Sequence, residues 1–204
     1  MIRVEREPEP ADFEEAVRKK GAAFLKRCPA PTSKQFRGHA YWTAILKQLH
    51  TAYRGVCAYS CHWIPLDTGF KTVEHFNAKT QRPELAYEWS NYRLVCGALN
   101  GRKGAFADVL DPFAVQNGWF VIDFPSLLLR PAPGLAAARR LRIERTIARL
   151  RLNNETCVQA RTKWVQDYAA GHFDDDFLQR HAPFISMELA RQGLIRQDVR
   201  QMMT

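Results

Sequence analysis

The feature that most constrains this 204-residue chain is a run of acid, base and amide side chains near its middle. Glu74 and His75 are adjacent, Asn91 follows, and Asn100 and Lys103 complete the run. A histidine exchanges a proton near neutral pH, and a carboxylate with carboxamide oxygens can hold a hard cation. Hydrolysis of a phosphodiester needs a base for the attacking water and a divalent ion for the developing charge. The run therefore predicts a hydrolytic site.

Local patterning indicates a short hairpin and a helix for this part of the chain. Residues 71–76 alternate polar and apolar side chains, which is typical of a half-buried strand. Glu74 and His75 would then reach opposite faces of that strand or straddle a turn. Ser90 is a plausible N-cap for a helix that begins near Asn91.

The second half of the run predicts how a cation is held. Asn100 and Lys103 are three residues apart, so they share one face of the predicted helix. Glu74 and Asn100 could then coordinate one divalent ion, while His75 faces the water beyond it.

Around this site the chain is predicted to be mainly α, with a small hairpin-plus-helix module inserted near its middle, an α+β class. We expect an N-terminal helical segment over 1–54, the site module with its following strand over 55–124 and a C-terminal helical segment over 125–204, all packed as one domain. Residues 125–134 carry three prolines and a glycine and are predicted to be a linker. Helices are predicted over 135–152 and 158–170.

The charge balance favours a polyanionic partner. The net charge is +9, and nine basic residues but only two acidic ones lie between Arg130 and Lys163. Arg142, Arg145 and Arg149 recur at helical spacing, so we expect them to form a face for nucleic acid or for a partner protein. No apolar run is long enough to span a membrane and residues 1–10 are not a signal peptide, which predicts a cytoplasmic protein without a membrane partner.

The residues named above resemble the HNH (ββα-metal) nucleases, in the form whose last histidine is replaced by asparagine. His75, Asn91 and Asn100 match the three positions of that motif, with eight residues between the two asparagines. The flanking runs CAYSC, TVEHFNAK, LAYEWSNYRL, CGALNGRKG and LDPF look like the PtuB-type HNH subunits of Septu and retron-associated anti-phage defence systems. The resemblance extends over residues 18–194.

This resemblance implies a metal-dependent endonuclease with Mg²⁺ or Mn²⁺ as cofactor. His75 would be the general base, and Asn91 would orient its imidazole. Glu74 and Asn100 would bind the metal. Lys103 and, more weakly, Arg102 would contact the substrate phosphate. Cleavage would leave 5′-phosphate and 3′-hydroxyl ends.

The chain departs from many HNH proteins in its cysteines. That family often holds its module together with a structural zinc on two CxxC knuckles. Here the first knuckle is stretched, with Cys57 and Cys61 four apart, and the second retains only Cys96. We therefore expect no structural zinc and interpret the three cysteines as an incomplete remnant within the core.

The resemblance also implies partners: nucleic acid, with DNA most expected and tRNA an alternative, an ABC/SMC-like ATPase of PtuA type, and in retron-linked systems a reverse transcriptase with its non-coding RNA and msDNA. Two other functions are compatible with the sequence. One is a nucleic-acid-binding or scaffold subunit with a degenerate site, and the other is a zinc-binding adaptor.

Overall fold

The computed structural model describes residues 1–202, and the chain divides into two compact units. The site unit comprises Glu5–Cys57 and Ile64–Ala107, and the helical unit comprises Met1–Val4, Ala58–Trp63 and the described residues from Asp108 onward. The chain is α+β and roughly half helical, with two small antiparallel sheets, which agrees with the predicted class. The predicted boundaries after residues 54 and 124 do not coincide with these units.

The site unit surrounds a two-stranded sheet with short helices. Its elements are α1 (Lys19–Arg27), α2 (Ser33–Arg37), α3 (Leu46–Ala52), β1 (Lys71–His75), β2 (Tyr92–Cys96) and α4 (Gly97–Lys103). A π-helical turn at Glu14–Arg18 leads into α1, and a 3₁₀ turn at Tyr41–Ile45 leads into α3. Both α3 and α4 pack on the sheet.

Antiparallel pairing of β1 with β2 fixes which side chains face which helix. Val73 lies opposite Leu94, and His75 lies opposite Tyr92. Because successive side chains of a strand alternate, Glu74 projects from the opposite face of β1 to its two neighbours. The predicted strand is confirmed, and α4 covers the Glu74 face.

The predicted start of the helix near Asn91 is wrong. Trp89–Asn91 is a 3₁₀ turn, Tyr92–Cys96 is a strand, and the helix begins only at Gly97. Pairing with β1 provides hydrogen-bond partners for the backbone of residues 92–96, and Leu94 is buried there. A short isolated helix over the same residues would be only marginally stable.

The helical unit contains the second sheet and the remaining helices. Its elements are β3 (Phe120–Asp123), β4 (Leu128–Pro131), α5 (Ala137–Leu150), α6 (Glu155–Ala170), α7 (Asp175–His181), α8 (Pro183–Gln192) and α9 (Arg196–Met202). The predicted helices over 135–152 and 158–170 correspond to α5 and α6, and Gly171 ends α6 with a φ of +83°. None of the helices within residues 1–202 combines the length and apolar character of a membrane crossing.

The predicted linker over 125–134 is wrong in its centre, because β4 pairs there with β3. Leu129 is buried, and its backbone N–H and C=O both bond the side chain of Asn153. Pro131 stands at the end of the strand, where a missing N–H removes little pairing. Residues 108–124 lie in the same compact unit as the C-terminal helices.

A pair of glycine substitutions tests the packing of the site unit. A Cβ at Gly21 in α1 would lie 2.1 Å from the buried ring of Tyr87, whereas a Cβ at Gly101 in α4 meets nothing within 4 Å. Alanine gains about 1 kcal/mol in helix propensity at either position, but overpacking a core costs about 1–3 kcal/mol. We expect Gly21→Ala to lower the free energy of unfolding in urea by about 1–2 kcal/mol and Gly101→Ala to raise it slightly. Equal effects of the two changes would contradict this packing.

Candidate active site

Three of the predicted site residues line one cavity of about 480 Å³ within the site unit. Glu74 and His75 reach it from β1, and Asn100 reaches it from α4. Trp42 and Lys79, which the sequence did not single out as site residues, line the same cavity. An acid, a base, an amide and a cation therefore share one water-accessible space.

The imidazole of His75 is held in one tautomer. Its Nε2 lies 2.9 Å from the carbonyl oxygen of Ala86, so Nε2 carries the proton and Nδ1 is left as an acceptor. The ring contacts Trp42 and Tyr92 edge to face, with centroid separations of 4.6 and 5.1 Å. Burial lowers the pKa of His75 to about 3, and the cationic Lys79 adds to this effect. The ring is consequently neutral and oriented before any ligand enters.

Asn91 forms no hydrogen bond with the imidazole of His75, so the orienting role predicted for it would have to be indirect. Its Oδ1 accepts from the backbone N–H of Asn77 at 2.8 Å, and its Nδ2 donates to the carbonyls of Asn77 and Leu85 at 3.0 Å. These bonds hold both ends of the loop between β1 and β2. The loop in turn presents the Ala86 carbonyl to the imidazole, so Asn91 acts on His75 through the loop.

The amide of Asn100 has a defined orientation. The hydroxyl of Thr72 donates its proton to the carbonyl of Val95 at 2.7 Å, so its oxygen can only accept from Asn100 at 2.9 Å. The atom facing Thr72 is therefore Nδ2, which leaves Oδ1 as the cation ligand that this side chain can offer.

Glu74 is buried against Lys103. The Glu74 side chain is 2% exposed and that of Lys103 is 1% exposed, and the ammonium lies 2.6 Å from Oε1. Lys103 also donates hydrogen bonds to the carbonyls of His75 and Phe76, at 3.1 and 2.7 Å. Burial raises the pKa of Glu74 to about 7 even though the ammonium opposes it. The Lys103 ammonium is thus the group that favours the charged form of this buried carboxyl.

The predicted phosphate contact of Lys103 stays a prediction. In the structure its ammonium is fully buried and bonds two carbonyls, and it does not line the cavity. Arg102, in the last turn of α4, is partly exposed. Lys79 is the better candidate, because it lines the cavity, lies 5.3 Å above the Trp42 ring and has no ion-pair partner among residues 1–202. Burial lowers its pKa, and the Glu74 carboxylate opposes that shift.

The oxygen ligands fit a hard divalent cation better than a closed zinc site. Mg²⁺ is commonly bound through one or two protein oxygens, with waters and substrate phosphate completing its shell. Glu74 and Asn100 offer such a pair, and the Lys103 ammonium, 2.6 Å from Oε1, shows that positive charge is accommodated beside this buried carboxylate. No cluster of three or more His, Cys, Asp or Glu side chains that could share a metal occurs within residues 1–202.

The three central cysteines form no disulfide. Cys57 is buried in the site unit, where its sulfur accepts a hydrogen bond from the backbone N–H of Cys96 at 3.4 Å. Cys61 belongs to the helical unit and has a φ of +58°. The prediction that they hold no zinc stays a prediction.

The predicted arginine face on α5 is only partly available for a polyanion. Arg142 and Arg145 are exposed, whereas Arg149 forms an ion pair with Asp108 at 3.2 Å. The exposed positive charge is therefore carried mainly by the first two.

Comparison of the chain with protein-family models and with curated proteins finds no match. Neither the Ala86 carbonyl nor Thr72 could have been found from residue type. Lys79 lies four residues after His75, but its sequence position gives no sign that it shares the cavity.

Substitution of the buried lysine tests its structural role. Lys103→Met removes the donor of two carbonyls and the cation beside Glu74, so we expect a loss of about 3 kcal/mol in unfolding free energy. Adding Glu74→Gln should restore part of that loss, because no acid then remains buried. Lys79→Met is the matched control and should change the urea midpoint little. A Lys103→Met protein as stable as the wild type would contradict the structural role assigned to Lys103.

Proposed function

We propose that this chain is a metal-dependent endonuclease of the HNH type that hydrolyses nucleic-acid phosphodiester bonds. The observation that carries the proposal is the His75 imidazole, whose Nε2 is bound to the Ala86 carbonyl at the cavity that Glu74 and Asn100 also line. A neutral, oriented base beside a pair of oxygen ligands is the arrangement that this chemistry requires. The motif resemblance and the net charge of +9 point in the same direction.

In the proposed mechanism Nδ1 of His75 removes a proton from the attacking water. The Ala86 carbonyl keeps the Nε2 proton in place and stabilises the imidazolium that forms. A phosphate entering the cavity raises the pKa of His75 through its negative charge, which strengthens the base. Lys79 would contact that phosphate in the role first assigned to Lys103.

Glu74 and Asn100 would hold the Mg²⁺ or Mn²⁺ ion, which when bound neutralises charge on a non-bridging oxygen and on the leaving 3′ oxygen. The products would carry 5′-phosphate and 3′-hydroxyl ends. Asn91 is a positioning residue in this scheme, because it holds the loop that orients the base.

The proposed cellular role is the effector of an anti-phage complex with a PtuA-like ABC/SMC-type ATPase, alone or together with a retron reverse transcriptase and its RNA. The motif resemblance supports this role. Arg142 and Arg145 offer a basic surface for DNA, for tRNA or for acidic residues of the ATPase.

One observation favours the alternative of a nucleic-acid-binding subunit without catalysis. The Lys103 ammonium lies against the carboxylate that should hold the ion, and it supplies positive charge at that position. If this contact persists in solution with metal present, the chain would bind nucleic acid without cutting it.

A cleavage assay separates the two functions. The chain, together with a PtuA-type ATPase, is incubated with plasmid, single-stranded DNA and total tRNA in Mg²⁺ or Mn²⁺. We expect metal-dependent cleavage that His75→Ala slows by about 10²–10⁴-fold, because a general base contributes that much.

The matched control for this assay is His172→Ala, since the His172 side chain is 66% exposed and lies in the other unit. It should cleave at the wild-type rate. Binding of nucleic acid without cleavage by the wild type, or full activity of His75→Ala, would contradict catalysis at this site.

A further inference from the structure

The most exposed large apolar side chain in the site unit stands at the candidate site. Phe70 is 77% exposed and lines the same cavity as Glu74 and His75. Single exposed apolar residues are ordinary on protein surfaces. An aromatic ring that is both largely exposed and part of a polar cavity is a candidate ligand contact.

The fold holds this ring outward without burying it. Phe70 precedes β1 directly, and its carbonyl accepts a hydrogen bond from the N–H of Gly97 at 2.7 Å. A Cβ at Gly97 would lie 2.1 Å from the Phe70 ring, so the ring packs directly against the backbone at that glycine. The backbone at Gly97 thus supports one side of the Phe70 ring, while most of the ring surface remains exposed to solvent.

Cations accompany the ring in the cavity. Lys71 and Lys79 both line it, and Lys79 has no ion-pair partner within residues 1–202. A flat apolar surface next to ammonium groups is complementary to a nucleotide, which combines an aromatic base with an anionic phosphate. An apolar protein segment would leave these positive charges uncompensated.

We propose that Phe70 is a stacking platform for an unpaired nucleobase whose adjoining phosphate lies in the cavity. Inside a duplex both faces of each base are covered by neighbouring bases, so a protein ring can stack only on an unstacked base. The substrate class is therefore single-stranded or locally unpaired nucleic acid. The placement of the phosphate rests on the proposed function, whereas stacking itself does not.

Binding without cleavage tests the platform. Fluorescence anisotropy of labelled single-stranded and duplex oligonucleotides is measured with the full chain in EDTA. Phe70→Ala should weaken single-strand binding by about 5–150-fold, the equivalent of one stacked base. Duplex binding should be unchanged, and Phe70→Tyr should retain wild-type affinity because it keeps the ring.

The matched control is Leu66→Ala, which removes a 66% exposed leucine four residues away that does not line the cavity. It should bind as the wild type does. A series of oligonucleotides with one abasic site at successive positions completes the test. At one position the abasic site should weaken binding by the wild-type protein and leave binding by Phe70→Ala unchanged.

Unchanged single-strand binding by Phe70→Ala, or equal losses for single strands and duplex, would overturn the platform. If the wild type cleaves nucleic acid while Phe70→Ala binds single strands normally, the platform is wrong and the nuclease proposal still stands. Phe70-dependent binding without cleavage in metal supports the platform and contradicts the nuclease.

Discussion

The contact between Lys103 and Glu74 is the interaction on which the candidate site depends. It joins the last turn of α4 to the end of β1, and the same ammonium binds the carbonyls of His75 and Phe76. Burying both charged groups is costly, and an aliphatic pair of similar volume would often be as stable. This burial has a function if the Glu74 carboxylate must be charged at the cavity, as a cation ligand would be. Lys103 then keeps Glu74 ionisable until a stronger cation binds.

The base is positioned by a different part of the chain. The sixteen residues between β1 and β2 form a loop that Asn91 fixes at Asn77 and Leu85, and its Ala86 carbonyl determines the tautomer of His75. Trp42 makes an edge-to-face contact with the imidazole, and its ring lies beneath the Lys79 ammonium. The acid and the base line one cavity but are held by separate supports.

Much of the local structure was predictable because it depends on local signals. The alternation at residues 71–76 and the glycine after α6 are properties of short windows, and the structure confirms both. The spacing of Asn100 and Lys103 likewise places both on the α4 face toward β1.

The failures share one cause, which is contact between distant segments. Residues 92–96 and 128–131 each form a strand only because a partner strand is present. Lys103 carries a charge and is nevertheless buried, because its ammonium is paired with Glu74 and bonds the carbonyls of His75 and Phe76. Two of the predicted site residues, Asn91 and Lys103, consequently have supporting contacts where ligand or imidazole contacts were expected.

A long-range ¹H–¹⁵N correlation spectrum of the His75 ring, recorded with and without a small amount of Mn²⁺, tests whether a neutral imidazole stands beside a cation site. At neutral pH the ring should be the neutral tautomer with its proton on Nε2, and Mn²⁺ should broaden the signals of His75 and of the Asn100 amide before those of the exposed His172. A ring protonated on Nδ1, or signals from His75 and Asn100 that Mn²⁺ leaves sharp, would contradict a base placed beside a cation site.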